Sequence, residues 1–353
     1  MMSQPWLKGA ATASRRVDAR TLARALSELV VSVESVICRF GTMTIASYPG
    51  GHRPTCVVAI SGRGETGYGE MVAFTTAEQR AFAERAANLL LHKGGAGRIA
   101  DSISPQASAM ERAALQCALI DLALRQQRLS LRDLCGGGTV PRISEMRWVA
   151  SFGQLPSPSV HLRAARAAAR ATEFKIDVDP SWTEAVIDGL VQESGVVILD
   201  FKDVGNAELV RRLAARFPSA IFEDPPAGPW RGQVARDRSL ATTADVEAAL
   251  AHGEMVNLKI PRMGGPIPLL EALAVAQKRG GHTFYFGGMF EVGPGREQAR
   301  QLAALFCGGA PNALGPILGA MSPARPRSPS WVRLDTVGFG ATCAWSQLVP
   351  SPI

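Results

Sequence analysis

From Met146 onward the chain alternates short apolar runs with stretches of helical composition, a rhythm that few architectures can accommodate. Eight apolar runs recur: MRWVASF, EFKIDV, VVILDF, AIFEDP, QVARDR, MVNLKI, HTFYFG and NALGPI. Between them lie segments such as PSVHLRAARAAAR, NAELVRRLAARF, TTADVEAALAHG and IPLLEALAVAQKRG, whose apolar residues recur at helical spacing. Eight β/α units predict an α/β fold built on a (β/α)8, TIM-like barrel. At 353 residues the chain has room for one barrel and a smaller domain, and 46% hydrophobic residues supply the core.

In such a barrel the C-terminal ends of the parallel strands face one mouth, where active sites are built. Lys175, Asp200, Glu223, Asp237 and Lys259 all fall at predicted strand ends. A single acid there is most often a solvated charge. Three on successive strands form a cage for a hard cation such as Mg2+, which prefers carboxylate oxygens.

Three segments carry a family resemblance. CVVAISGRGETGYGEMVAF resembles the capping-domain hairpin, with its GxGE turn, of the enolase superfamily. AALQCALIDLALRQQRLSLRDLCGG resembles the helix that leads into that family's barrel. VNLKIPRMGG resembles its sixth-strand lysine motif, the most specific of the three. The chain is similar to the branch holding muconate-lactonising enzymes, o-succinylbenzoate synthases and dipeptide epimerases. The resemblance covers nearly the whole chain and implies an α+β capping domain over residues 1–142, rejoined by 321–353, with the barrel over 143–320. It also implies that Asp200, Glu223 and Asp237 are metal ligands for Mg2+, with Mn2+ as a second candidate. The implied chemistry is proton abstraction α to a substrate carboxylate through an enolate intermediate. Lewis-acid help is physically required for so weak an acid, and Lys259, beside a cation, is the implied base.

Departures from the pattern narrow the reading. The branch carries Lys-x-Lys at the end of strand two; here FKID matches the first lysine with Lys175 and puts Asp177 at the second. The branch has Asp-x-Asn on strand three; here Asp200 is followed by Phe201 and Lys202. Residues two apart on a strand share a face, which predicts Asp177 and Lys202 at one level on adjacent strands, paired by charge. Two readings stand: the base has moved to Lys202, oriented by Asp177, or the pair is a charge-swapped salt bridge with no part in proton transfer. Against the first, a neighbouring carboxylate raises a lysine's pKa.

Glu223 and Asp237 are only 14 residues apart. The fourth crossover helix is therefore expected to shrink to a turn around PPAGPWRG, with Asp224 as a fallback ligand that would alternate away from Glu223. HTFYFG has a histidine only at its start, His282, which disfavours a mandelate-racemase-like base on strand seven. NALGPI has no carboxylate for a dipeptide's ammonium, and the lysine motif is not that of enolase itself. Glu291, after strand seven, is a candidate to contact Lys259 or substrate, with Arg296 in the same loop. Substrate choice is expected in the capping loop RFGTMTIASYPGGHRPT, where Tyr48, His52 and Arg53 are the polar candidates and Gly50 and Gly51 suit a mobile lid.

The net charge of +7 is spread along helices rather than clustered, so a nucleic-acid partner is not expected. No apolar run is long enough to span a membrane. The start, MMSQPWLKGAATASRR, lacks the apolar centre of a secretion signal. Six cysteines without paired metal-ligand spacing read as reduced core residues of a cytoplasmic protein. Two function classes follow. One is a metal-dependent lyase or isomerase of dehydratase or cycloisomerase type, acting on a small carboxylate and assembled as a homo-oligomer. With one secure base, one-face chemistry fits better than racemisation. The other is a degenerate, non-catalytic relative that binds a metal, a ligand or a partner protein.

Overall fold

The protein is described by a computed structural model covering residues 17–45, 52–87, 93–102, 107–137, 140–169, 172–228, 230, 234–279, 283–291, 293–315, 320–321 and 331–340. The N-terminal part holds α1 (Ala19–Glu28), β1 (Val30–Ser32), β2 (Ser35–Ile45), β3 (His52–Gly62), β4 (Glu65–Met71), α2 (Thr76–Ala86), β5 (Lys93–Gly95), α3 (Ala96–Ser102), α4 (Ala109–Gln126) and α5 (Leu131–Leu134). Local chemistry sets the helix starts. Thr75 and Ser130 open α2 and α5 through reciprocal capping boxes with Glu78 and Asp133, and Asp18 and Ser108 cap α1 and α4 singly.

Strands β2, β3 and β4 form an antiparallel sheet. The β3–β4 turn is the pair Arg63 and Gly64, both at positive φ, the backbone that a two-residue hairpin of matching twist requires. The expected GxGE turn is thus Gly62 to Glu65, which read GRGE. Gly67 to Glu70 lie within β4, where Gly67 and Gly69 share one face. A side chain at either would collide with the backbone of α4, at Leu122 and Ala114. Helix and strand therefore pack backbone to backbone, which explains why α4 is buried along most of its length.

The barrel strands are β7 (Ala150–Phe152), β8 (Phe174–Asp177), β9 (Val196–Asp200), β10 (Ile221–Glu223), β11 (Val234–Arg236), β12 (Met255–Leu258) and β13 (Phe284–Phe286), preceded by β6 (Ile143–Glu145). β7 to β13 form one parallel sheet in sequence order. The intervening helices are α6 (Pro158–Ala169), α7 (Glu184–Glu193), α8 (Ala207–Arg216), α9 (Thr243–Ala251), α10 (Ile260–Met263) and α11 (Pro266–Arg279), with α12 (Pro294–Cys307) after β13. Among the described residues no helix lies between β10 and β11. The eighth run is not a regular strand. Asn312 bridges Trp148 and Ala313 bridges Gly287, so this segment joins β13 to the start of β7. Its irregularity has a cause: the Asn312 side-chain carbonyl, not a backbone one, accepts the Phe286 N–H at 2.9 Å, while its amide serves the carbonyls of Arg147, Cys307 and Ala310.

Val149, Ile198, Ile221, Ala235, Met255 and Tyr285 pack together in one cluster contributed by six of the barrel's strands and their approaches. The chain's last described segments return. β14 (Ala320–Met321) pairs with β2, β15 (Trp331–Arg333) pairs with β6, and the Phe339 N–H donates to buried Asp121 on α4 at 2.6 Å. Among the described residues no helix is long and apolar enough to cross a membrane, and the five described cysteines are free.

Candidate metal centre and its lysines

The parallel register places the acids side by side: Asp177 is level with Asp200, and Asp200 with Glu223. Asp237 follows β11 directly. One carboxylate oxygen from each of Asp200, Glu223 and Asp237 lies within 4.8 Å of the others, and all three residues are buried. Two lysines approach from the strands that flank the acid-bearing ones. From β8, Lys175 Nζ pairs with Glu223 and lies 2.9 Å from Asp200 Oδ2. From the end of β12, Lys259 Nζ lies 2.5 Å from Asp237 Oδ2.

The electrostatics follow from burial opposed by pairing. Burial pushes Glu223 up to about 7, with Lys175 opposing and the Asp200 and Asp237 charges adding to the rise. Asp200 is equally enclosed, yet Lys175 and Lys202 outweigh its desolvation and hold its carboxyl well below the usual range. Asp237 is likewise held low, as Lys259, Lys175 and Arg262 overcome its burial. Burial favours the neutral form of Lys175, but the four surrounding carboxylates dominate and raise it well above an ordinary lysine.

The residues fit a divalent cation. The donor set is three carboxylates with no softer ligand among them. Asp237 Oδ1 is buried without a hydrogen bond, the Arg262 guanidinium being 3.5 Å away. Glu223 is oriented by Tyr285 Oη, which donates to Oε2 at 2.5 Å, and by Asn257 Nδ2, which donates to Oε1 at 3.1 Å. Neither supporting residue was singled out from sequence. Asn257 carried a signal, lying two residues before Lys259 in MVNLKI and so on its face, whereas Tyr285 in HTFYFG precedes only Gly287 at that spacing and carried none.

Asp224 is not a fourth ligand. Its carboxylate turns away and accepts the backbone N–H groups of Asp237 and Arg238, each at 2.9 Å. It thereby fixes the chain at Asp237 where a fourth crossover helix would otherwise set the register. The lysine motif is also legible in local terms. Lys259 precedes the four-residue α10, Pro261 stands in its first turn, and Gly264 ends it in the left-handed conformation. Gly287 backs the lysine, since a Cβ there would sit 2.8 Å from Lys259 Cε.

Lys202 departs from expectation. β9 ends at Asp200, so Lys202 is not level with Asp177; it lies in a turn at φ 49° and its side chain folds back. Its Nζ lies 2.7 Å from Asp200 Oδ2 and 3.2 Å from Asp177 Oδ1, so the predicted pairing forms with Asp200 included. Burial opposes its charge, but Asp200 and Asp177 prevail and raise its pKa. That direction counts against Lys202 as a base near neutrality.

Glu291 is buried and takes the Met289 N–H at 2.9 Å, with Arg296 Nη2 at 3.9 Å. Its recorded partners are thus in its own loop, not Lys259. Arg53 is buried on β3 between the rings of Phe74 and Phe290, at 5.0 and 5.4 Å. Tyr48, Gly50, Gly51 and His282 lie outside the described residues. His52 opens β3 opposite Thr44, its side chain also outside them.

Solved structures share this architecture. A mandelate racemase/muconate lactonizing enzyme from Roseiflexus sp. superposes with a TM-score of 0.68 at 21% identity, over 88% of this chain and 98% of that one. A member of the enolase superfamily from Listeria innocua gives 0.70 at 17% identity, over 90% and 96%. Muconate lactonizing enzyme from Pseudomonas fluorescens, complexed with muconolactone, gives 0.65 at 17% identity, over 82% and 90%. The fold is therefore the enolase-superfamily fold, a TIM-type barrel with an N-terminal cap. Comparison with curated proteins finds no match. By sequence the chain belongs to the family described as "Domain of unknown function (DUF8230) C-terminal domain", whose model matches residues 142–318, just over half of it.

Proposed function

We propose that the protein is a metal-dependent lyase or isomerase, of dehydratase or cycloisomerase type, that removes a proton α to a carboxylate of a small substrate. The observation that carries this is the convergence of Asp200, Glu223 and Asp237 within 4.8 Å, with Lys259 on Asp237. Bound by these acids, Mg2+ or Mn2+ would supply Lewis-acid stabilisation of the charge that develops on the substrate carboxylate.

The chain's own residues would divide the remaining work. Lys259, its Nζ on Asp237 and its stem backed by Gly287, takes or returns the α-proton. Lys175, raised far above neutrality, stays an ammonium and serves as a fixed positive charge rather than a base. Tyr285 and Asn257 hold Glu223 in place. With Asp177 at the second lysine position, proton transfer runs on the Lys259 face, which supports one-face elimination or cycloisomerisation over racemisation. The reading carries with it a cap of residues 1–142 joined by 321–353, a barrel of 143–320, a homo-oligomer and a cytoplasmic setting.

A second reading, a non-catalytic ligand-binding relative, is favoured by one contact: the Lys175 ammonium bridges Asp200 and Glu223. Incubation with Mg2+ and pooled α-substituted carboxylates in D2O separates the two. Deuterium uptake that disappears with EDTA and in Lys259→Met supports the enzyme; no uptake by a protein that binds Mg2+ supports the second reading.

A further inference from the structure

We propose that Lys202 and Asp177 form a tethered counter-ion pair that sets how tightly the three-carboxylate cluster takes a divalent cation. The inference rests on reading that cluster as a cation site, and gives the pair a positioning role in place of proton transfer.

The argument starts at one atom. Asp200 Oδ2 accepts two ammonium groups, Lys175 Nζ at 2.9 Å and Lys202 Nζ at 2.7 Å. A cation that takes this oxygen must displace at least one of them. The two lysines are not equally free to leave. The Lys175 side chain is 8% exposed and stays against Glu223, whereas that of Lys202 is 45% exposed, so its stem is free to swing. Shifting the tip of a half-exposed side chain disturbs less packing than moving one enclosed along its whole length.

Lys202 has somewhere to go. Asp177 Oδ1 lies 3.2 Å from its Nζ, and the register places Asp177 beside Asp200 on β8. The backbone need not move with the side chain. The Lys202 N–H donates to Asp200 Oδ1 at 3.1 Å, and its carbonyl accepts from Arg238 Nη1 at 2.8 Å. The left-handed turn thus fixes the root of the side chain while its tip shifts between two carboxylates. Asp177 draws the ammonium from Asp200 when a cation arrives. Without Asp177, the ammonium competes with that cation at full strength.

Opposite signs follow, and so does dependence of one residue on the other. Mn2+ binding by the full chain would be followed by electron paramagnetic resonance of the free ion. The variants are Lys202→Asn, a residue that tolerates the left-handed turn, Asp177→Asn, and the two combined. Lys202→Asn is expected to tighten binding about tenfold and Asp177→Asn to weaken it by roughly a factor of three. The double variant should bind like Lys202→Asn alone, because Asp177 acts through the lysine. Equal weakening by Asp177→Asn in both backgrounds would mean that the two charges act independently, and overturns the pair; so does unchanged or weaker binding in Lys202→Asn. Glu223→Gln tests the underlying reading separately: Mn2+ binding unaffected by it puts the ion elsewhere, and both readings fall.

Discussion

At the scale of single residues, the centre is a balance between burial and pairing, and Glu223 is where burial wins. Its pKa rises from 4.5 to about 7, so between those values the folded chain holds a proton that the unfolded chain has released. Stability must then fall as pH rises through that window, and stay lower above it. Asp200 and Asp237 are shifted the other way; what they contribute is present above about 3.8 and lost only in stronger acid. In EDTA, unfolding free energy should therefore drop by up to roughly 3 kcal/mol between about pH 5 and about pH 8 on account of Glu223. Denaturant titrations across that range, with Glu223→Gln as the comparison, test this: the variant should lose the slope, and an unchanged slope sinks the assignment. The same residue scale shows what a sequence can disclose. A charge that closes an apolar run is conspicuous, which made Asp200, Glu223, Asp237, Lys175 and Lys259 legible. Asp224 was not, because its role depends on a turn whose path alternation cannot describe. Lys202 was placed at the wrong level for a related reason: the same-face rule holds only while the strand continues, and β9 stops at Asp200.

At the scale of elements, the site depends on backbone that comes close to side chains. Gly287 follows β13 and lies behind Lys259; a methyl there would press on Lys259 Cε at 2.8 Å and collide with the Asn257 amide. Gly287→Ala should cost about 1–3 kcal/mol, the range for overpacking a filled interior. Acylation of Lys259, read by mass spectrometry, should change along with it. A variant of wild-type stability and unaltered Lys259 labelling would show that the strand gives way freely. The elements themselves were largely readable. Seven of the eight expected barrel strands form, and the shortened fourth unit shows in the absence of a helix among the described residues between β10 and β11. The eighth was misjudged as regular because Asn312 uses its side chain where periodicity anticipates a main-chain ladder.

At the scale of the whole molecule, cap and barrel are joined by a buried acid. Glu70 on β4 accepts the N–H groups of Gly293 and Gly295 at 3.0 and 3.2 Å, at the start of α12, and also takes the Thr55 hydroxyl at 3.2 Å. A carboxylate at a helix N-terminus satisfies donors that the helix cannot and meets the positive end of its dipole. Glu70→Gln should cost about 1–2 kcal/mol and speed hydrogen exchange at Gly293 and Gly295 ahead of the barrel strands. Uniform exchange across α12 and the strands would argue against a local tether.

The return of the chain to its own beginning has a consequence for how the molecule is made. Asp121 lies in the interior of the first part, and one of its backbone donors, the Phe339 N–H, comes from 218 residues further along. A chain that emerges N-terminus first can pair this carboxylate with Tyr68 and Arg125 early but lacks the Phe339 donor throughout synthesis of the barrel, and β2 likewise waits for β14. The region of β2 and α4 is thus completed only after the barrel between them and their late partners has been made, so its maturation waits on synthesis of that barrel.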